Sequence, residues 1–523
     1  MILENPILRG FYPDPSFCRV GGDYYIATST FEWFPGVRLS HSTDLVHWRT
    51  LPGPLRRLSQ LDMTGEPNSG GVWAPCLTYR DGLFYLLFTD VKRWTGAHKE
   101  CHNYLVTCDR IDGEWSDPVF LNSSGFDPSL FHENGRCWLV NQLWDFRPNR
   151  NRFGGIVLQE YDTTARRLVG PVKNIFTGSP LGAVEGPHLL KKDGWYYLIV
   201  AEGGTFQTHA VTVARSRRID GPYEVMPGNP LLTSNNAPEN PLQSAGHGCL
   251  VETPSGDWYL AHLCRRPLPN GRSTLGRETA LQRIVWDNEG WPRLAAGGRN
   301  PELSWTVPGL EPHPWPELPE RDDFNEPQLR LEYQTLRVPL PASTLTLSER
   351  PGFLRLYGKE TLQSHFHQAL VARRVQAFHV EASTAVEFSP ETFQQMAGLT
   401  AFYSSASFYY LYLTKGEHSP KAVGLMRCER DVITFPMQKE IPVEQWDRVF
   451  LKLEIDHARI RFFYGGDGER WHPLGYEDDA SILTDEHAAP FGFTGAMVGL
   501  ACQDLSGGRR PADFDWFEYR ELS

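Results

Sequence analysis

What this 523-residue sequence lacks most is helical signal: no segment repeats its apolar residues with a 3.6-residue period. That excludes helical bundles and alternating α/β folds. No run of lysine and arginine stands out and the formal net charge is −12, so nucleic acid and anionic membranes are poor partners. Nine cysteines, an odd number, are scattered without a C-x-x-C pair, which argues against a disulfide framework and a zinc site. No apolar stretch is long enough to cross a bilayer. "MILENPILRG" has no basic segment leading into an apolar core, so no signal peptide is expected and a cytoplasmic protein with reduced thiols is.

Aromatic residues are plentiful at 12%, with 16 Trp, 20 Tyr and 29 Phe. Such rings suit β-strands, and their flat faces suit the stacking of sugars. The length exceeds one ordinary core, so two domains are expected.

Internal repetition decides the architecture. "YPDPSFCRVGGDYYIATS", "VWAPCLTYRDGLFYLLFTD", "GFDPSLFHENGRCWLVNQL", "AVEGPHLLKKDGWYYLIVAEGG" and "SAGHGCLVETPSGDWYLAHL" each run from a small or acidic start through an apolar strand and a Gly-containing turn into an aromatic-rich strand. Each is a β-hairpin signature. The strands start near Asp14, Ala74, Asp127, Gly186 and His247, at intervals of 60, 53, 59 and 61 residues. That is the period of long propeller blades. The expectation is an all-β protein: a five-bladed β-propeller over 1–307, a Pro-rich and acidic connector over 308–322, and a β-sandwich over 323–523. In the second half Val449, Leu451, Leu453 and Ile455 alternate onto one strand face.

The first strand of each propeller blade lines the central axis, so equivalent repeat positions converge. Asp14 is clamped between Pro13 and Pro15, and proline stiffens the backbone on both sides. Asp14 and Asp127 share an Asp-Pro-Ser frame, and Glu185 stands one residue before its own strand start. One Asp-Pro-Ser is an ordinary turn. Two of them and a glutamate at equivalent positions point to chemistry. Three carboxyl groups at one funnel suit hydrolysis of a glycosidic bond, which needs one ionised and one protonated group. Glu185, on the longer side chain, is the expected proton donor, with a negative Asp127 expected to raise its pKa. Glu32, Glu202 and Asp145 read as rim or hydrogen-bonding groups. His247 is a candidate metal ligand, for a calcium ion held through water at the propeller centre; no cofactor is required by the chemistry.

At these residues the sequence resembles glycoside hydrolase family 43, in its β-xylosidase and α-L-arabinofuranosidase group. "GFYPDPS", "ATSTFEWFPGV", "PNSGGVWAP", "NSSGFDPSLF", "EGPH", "AEGGT" and "LGRETA" fit in order, and "SHFHQALVARR" and "ADFDWFEY" fit the family's C-terminal sandwich. The resemblance implies an inverting, exo-acting hydrolase of xylo-oligosaccharides or arabinofuranosides. It places the general base on Asp14, the general acid on Glu185, and an orienting and pKa-tuning role on Asp127. It places sugar contacts on Phe31, Trp73 and Arg277, with Trp144, Thr205, Phe206 and His247 completing the pocket. It implies a homo-oligomer, dimer or tetramer, acting in the cytoplasm on imported oligosaccharides, with the sandwich closing the pocket through the loop 502–514. "CRRPLPNGRSTLGRETA" is shorter than in the xylosidases it otherwise resembles, a departure close to the expected pocket. A non-catalytic sugar-binding propeller, or a retaining fructosidase-type propeller, is the rival reading.

Overall fold

The computed structural model describes residues 1–437 and 439–522. It is built of β-strands, with one short 3-10 turn at Ala480–Ile482. Five antiparallel units follow one another along the chain, four of them four-stranded and the fourth five-stranded, with Leu232–Thr233 added beside Ala210–Ser216. The first is Ser16–Val20, Asp23–Thr28, Arg38–Ser42 and Arg49–Leu51; the second runs from Gly71–Arg80 to Val119–Asn122 and the third from Ser129–Glu133 to Arg167–Phe176. The fourth begins with Glu185–Lys192 and the fifth with Gln243–Glu252. These are the five blades expected from the repeats, each with its first strand on the axis. The hairpin turns explain why the repeats carry Asp or Asn before Gly. Asp81-Gly82, Asn134-Gly135 and Asp193-Gly194 all place both residues at positive φ, between 49° and 82°. Turns of this type match the strand twist, and these residues tolerate them.

Each blade is one continuous piece of chain, so the ring must close by other means. The N-terminal strand Ile2–Glu4 pairs with Ser304–Thr306. Leu8 and Thr279 exchange main-chain hydrogen bonds at 3.1 and 3.2 Å, and Tyr12 N–H donates to the Arg277 carbonyl at 2.9 Å. Asn5 is the side-chain latch. Its amide donates to the carbonyls of Leu281 and Glu302, each at 2.9 Å, and its carbonyl accepts from Leu281 N–H at 2.8 Å.

The connector crosses blade I: His313 N–H donates to Asp44 Oδ2 at 2.7 Å, and Arg49 lies 4.0 Å over the Trp315 ring. Regular pairing resumes at Arg321–Asp322, which joins Pro511–Glu521, within the last two residues of the expected connector. Apart from Thr335–Leu336, the remaining strands form two sheets, one around His379–Glu387 and Pro511–Glu521, the other around Gln395–Ser404 and Met497–Asp504. Their inner faces enclose one core in which Val449, Leu451, Leu453 and Ile455 are all buried, alongside Leu399, Leu411 and Phe514.

The outer face of the second sheet is not left to solvent. Phe402, Phe408, Tyr410 and Tyr412 form one buried cluster with Phe11, Phe31, Trp33 and Trp73 of the propeller. Trp33–Phe34 pairs with Thr335–Leu336. The buried guanidinium of Arg374 donates to the Phe11 carbonyl at 2.6 Å, and that of Arg337 to the Glu66 carbonyl at 2.8 Å. A sandwich docked on its apolar face in this way is part of the propeller's core.

Substituting Asn5→Ala leaves the buried Leu281 N–H unpaired where the ring closes, while the Leu281 carbonyl keeps only the Trp305 indole N–H, at 3.0 Å. One buried donor left unsatisfied costs about 1–3 kcal/mol. The urea midpoint of the variant is expected to fall by that amount with little change in the slope.

Candidate active site

At the axis the blades enclose a cavity of about 360 Å³. Its floor comes from one backbone feature used repeatedly. Asp14, Asp127, Gly186 and His247, four of the five expected strand starts, all take a left-handed conformation, with φ of 56°, 54°, 55° and 46°. Aspartate tolerates this region better than most residues and glycine takes it freely. The corner sets each side chain at the mouth of its strand. Asp14, Asp127, Glu185 and His247 therefore line the same cavity although up to 233 residues separate them.

The three carboxyl groups occupy different electrical surroundings. Burial pushes Asp14 up, but three contacts outweigh it and hold it below the usual carboxylate range. Arg277 Nη1 donates to Oδ1 at 2.7 Å, His247 Nδ1 lies 3.8 Å from Oδ1, and Ser29 Oγ donates to Oδ2 at 2.6 Å. Glu185 is pushed up to about 7, first by burial and next by the negative Asp14, with Arg277 and Lys99 pulling the other way. The ionised neighbour acting on Glu185 is thus Asp14, not Asp127 as the sequence suggested. Asp127 is itself raised well above the carboxylate range, by burial and by Glu185 and Asp14. It accepts one hydrogen bond, from Gly186 N–H at 2.9 Å, and among the described residues no cation pairs with it. Asp127 and Glu185 titrate as a pair beside one fixed negative charge.

Aromatic rings make the walls. Phe31, Trp73, Trp144 and Phe206 line the cavity as expected, with Thr205 and Arg277. The indole N–H groups of Trp73, Trp94 and Trp144 donate to the carbonyls of Ser69, Asn68 and Ala97, each at 2.9 Å. Their polar edges are satisfied and their faces remain for a ligand. Trp94, Lys99, Phe126, Phe153, Ala183, Gly204 and His209 also line the cavity and were not singled out from the sequence. Phe126 and Ala183 stand beside the Asp-Pro-Ser frame and Glu185; the others stand in loops and, for Phe153, at the start of a third strand, where the repeat carries no marker.

The wall from the sandwich is Phe491 and Phe493, not the expected loop 502–514. Leu505–Arg510 is a tight turn between two sandwich strands, where the Ser506 hydroxyl accepts from Gln395 Nε2 at 3.0 Å and Leu505 N–H donates to the Gln394 carbonyl at 3.3 Å; none of its residues lines the cavity. The segment 484–496 reaches inward instead. Asp485, buried, accepts from Tyr403 at 2.7 Å and Arg265 at 3.0 Å, and its carbonyl accepts from Gly492 N–H at 2.9 Å. Phe493 N–H donates to Ser69 Oγ at 3.1 Å, while its carbonyl accepts from Arg277 Nη2 at 3.2 Å. Phe493 then stacks on Phe31 at 5.7 Å and meets Trp73 at 5.3 Å between centroids. The signal was present: "PFGF" puts two aromatics in a loop with glycine between them.

The short stretch before Arg277 touches this same segment. Arg272 Nη1 donates to Ser481 Oγ at 2.9 Å and Ser273 N–H to Glu486 Oε2 at 3.1 Å. Only Arg277 of that stretch lines the cavity. Gly276 has φ of 70°, and a Cβ there would meet the Thr494 carbonyl oxygen at 2.2 Å, so glycine is required where the two segments cross.

Glu32, Glu202 and Asp145 lie outside the cavity. Glu32 is buried beneath Phe31 and accepts from Ser69 N–H at 3.0 Å. Glu202 accepts from Ser179 N–H and the Thr212 hydroxyl, both at 2.6 Å. Asp145 pairs with Arg147 at 2.5 Å. The calcium expected at His247 finds no group of three His, Cys, Asp or Glu ligands among the described residues. The side chains present do not by themselves build a calcium site, and no step below uses one.

Arg277→Met removes the cation that holds Asp14 down and also restrains Glu185. Both carboxyl pKa values rise, so both limbs of the pH profile of kcat/KM move to higher pH. The maximum falls by about 10- to 100-fold, the range for a lost hydrogen bond to a charged group. Rates measured between pH 4 and 9 check both effects.

The comparisons with known proteins agree with this geometry. The sequence profile of glycosyl hydrolases family 43 matches residues 3–292, and that of the beta xylosidase C-terminal concanavalin A-like domain matches residues 321–520. The chain is 48% identical to a beta-xylosidase of Bacillus subtilis, with 100% of each chain covered. It is 46% identical to a xylan 1,3-beta-xylosidase of a Vibrio species over 99% of each. The crystal structure of xylan beta-1,4-xylosidase from Bacillus halodurans superposes with a TM-score of 0.98 at 54% identity, covering 99% of this chain and 100% of that one. With a profile match over more than half of its length and relatives this similar over their whole length, the chain belongs to glycosyl hydrolases family 43.

Proposed function

We propose that this protein is an exo-acting, inverting β-xylosidase that releases xylose from the non-reducing ends of β-1,4-xylo-oligosaccharides. The observation that carries the reading is the split in proton occupancy inside one cavity. Asp14 is held ionised by Arg277, His247 and Ser29, while Glu185 is held protonated up to about pH 7. A single displacement needs that pair. Asp14 takes a proton from water as the water oxygen bonds to the anomeric carbon. The bond from that carbon to the leaving oxygen breaks, and the leaving oxygen takes the proton of Glu185. Exchange with solvent returns both carboxyls to their starting state. Asp127, bonded to the Gly186 N–H beside the acid, orients the Glu185 backbone and keeps a carboxyl proton available to a sugar hydroxyl.

The walls support a terminal sugar. Phe31, Phe493 and Trp73 form a cup of rings around Arg277 and Asp14, and a closed cup admits a chain end, not a chain interior. The β-1,4 linkage follows the Bacillus halodurans relative; the Vibrio relative acts on 1,3-linked xylan by its name. A cytoplasmic site of action, on imported oligosaccharides, is supported by nine free cysteines, all buried. Among the described residues no helix is long and apolar enough to cross a membrane.

Inversion requires a water between base and anomeric carbon, so the carboxyls of Asp14 and Glu185 are expected roughly 6.5–9.5 Å apart. Proton NMR of the first product from a β-xyloside is expected to show α-xylose; β-xylose first overturns the assignment of Asp14. Asp14→Asn is expected to lose at least about 10²–10⁴-fold in kcat with sugar binding kept. Glu185→Gln is expected to lose a similar factor on xylobiose and far less on an aryl xyloside, whose leaving group needs little protonation. Equal losses on the two substrates would remove Glu185 as the proton donor. The ratio of kcat/KM on β-1,4-xylobiose, β-1,3-xylobiose and an α-L-arabinofuranoside assigns linkage and sugar.

A further inference from the structure

A second chamber, built by blades IV and V and the sandwich, lies beside the axial cavity. Its volume is about 350 Å³, close to that of the axial cavity. Among the described residues, Phe206 is the one that lines both. The rest of the wall is mostly polar. Gln207 and Thr208 stand beside that ring, Ser244 comes from the first strand of blade V and Arg265 from its second, and Glu486 comes from the sandwich.

The chamber stays open because the stretch before Arg277 is short and folds back on itself. Leu268 N–H donates to the Arg272 carbonyl at 2.7 Å, and Gly271 N–H to the Leu268 carbonyl at 2.8 Å. Such a hairpin covers little. Gly271 lines the chamber, and a Cβ there would meet nothing within 4 Å. On the blade V side, the first strand breaks register between Gln243 and Gly246 and again between Gly246 and Gly248, and Ser244 takes φ of 51°. A bulge re-aims side chains, and a left-handed serine is an uncommon conformation that persists only where its surroundings impose it.

Charge selects the ligand. Arg265, buried, donates to Asp485 at 3.0 Å and lies 3.3 Å from Glu486. Its guanidinium stands between two carboxyl groups, so no free cation is offered to a phosphate or a carboxylate. What remains is hydrogen-bonding capacity. The Arg265 Nε–H has no partner among the described residues. The Thr208 hydroxyl donates to the Gly203 carbonyl and keeps its lone pairs, and the Gln207 amide carries donors and an acceptor. A neutral ligand with several hydroxyl groups and one apolar face fits this lining, with Phe206 as the ring it packs on.

We propose that this chamber is a second sugar site, which takes a free pentose and acts on the axial cavity through Phe206. The choice of a pentose rests on the hydrolytic reading above, because a pentose is the product released there. Phe206 meets Phe491, of the axial wall, at 5.5 Å between centroids, and the guanidinium of Arg265, of the second chamber, lies 4.9 Å from its ring. Its loop begins with Gly203 and Gly204, both at positive φ, and closes where His209 N–H donates to the Phe206 carbonyl at 3.0 Å. A sugar seated between that ring and Glu486 fixes the partition from behind, and product then leaves the axial cavity more slowly.

Equilibrium dialysis of labelled xylose, with initial rates on 4-nitrophenyl β-xyloside, tests this on the full chain. Wild type is expected to bind two xyloses, one in each chamber. Gln207→Trp, which fills the second chamber from its exposed rim, is expected to bind one, with kcat and KM unchanged in the absence of xylose. Glu486→Gln keeps an acceptor for Ser273 N–H and loses the charge; it is expected to weaken the second xylose at least about 10-fold, the value of one hydrogen bond to a charged group. Xylose bound only in the axial cavity competes with the aryl xyloside and raises the slope of the double-reciprocal plot alone. Xylose in the second chamber also raises the intercept, an effect expected in wild type and absent in Gln207→Trp. One xylose per wild-type chain overturns the proposal, and so does purely competitive inhibition. A second xylose or an intercept effect that survives both substitutions overturns it too, since that sugar sits elsewhere. Thermal melting checks that each variant is folded, and if Gln207→Trp is not, Glu486→Gln decides alone. If wild type cleaves no β-xyloside, the hydrolytic reading fails, and dialysis still decides the second chamber.

Discussion

The contact on which the site depends is the buried ion pair between Arg277 and Asp14, 2.7 Å long with each side chain about 5% exposed. Removing two charges from water is costly, and their attraction repays it only when the remaining donors and acceptors are also met. Here Ser29 takes the second oxygen of Asp14, and Phe493 takes a second nitrogen of Arg277. One guanidinium therefore joins three parts of the chain: the start of blade I, the third strand of blade V and a loop of the sandwich. The hydrogen bond from Tyr12 to the Arg277 carbonyl adds the main chain to the same joint. Ring closure, the ionisation of Asp14 and the placement of the pocket wall are consequences of one arrangement.

The same pair explains how three carboxyl groups in one cavity hold different numbers of protons. Residue type does not separate Asp14 from Asp127, since both stand in the same Asp-Pro-Ser frame with nearly the same φ. What separates them is the cation. Asp14 has one in contact and stays ionised, and Asp127 has a single backbone N–H and is pushed up. Glu185, buried beside a carboxylate that cannot be protonated easily, rises with Asp127. A repeated backbone corner thus supplies equivalent positions, and the non-equivalent surroundings of the blades assign them different work.

The sandwich acts at the site through packing. Its outer sheet face is continuous with the propeller's aromatic cluster from Trp33 and Phe402 to Phe31, and Phe491 and Phe493 project from its edge into the cavity. The axial cavity is therefore walled by side chains of both domains. Among the buried groups at this seam, Arg337 and Arg374 donate to main-chain carbonyls of the propeller, Asp485 accepts from Arg265 of the propeller, and Glu32 accepts from Ser69 beside it. They set the docking angle of the two units and with it the width of the cup.

The amino-acid sequence determined the class of strand, the five blades and the carboxyl groups, because these are written locally. Alternation of period two makes strands, Asp-Gly and Asn-Gly make the hairpin turns, and a repeat of fixed length brings equivalent positions to one axis. The aromatic walls from Phe31, Trp73 and Trp144 and the arginine were legible through their motifs. Three things were decided only by the tertiary structure. The carboxylate that raises Glu185 is Asp14, because charge interaction depends on distance and shielding, which spacing along the chain does not encode. The wall from the sandwich is Phe491 and Phe493, because which of two loops reaches the cavity is settled by the docking of an entire sheet face. The ammonium of Lys99 among four rings has no sequence marker at all, since those rings come from Trp73, Trp94, Phe126 and Trp144, on two blades. It exists only where the fold brings all four ring centroids within 6 Å of that ammonium.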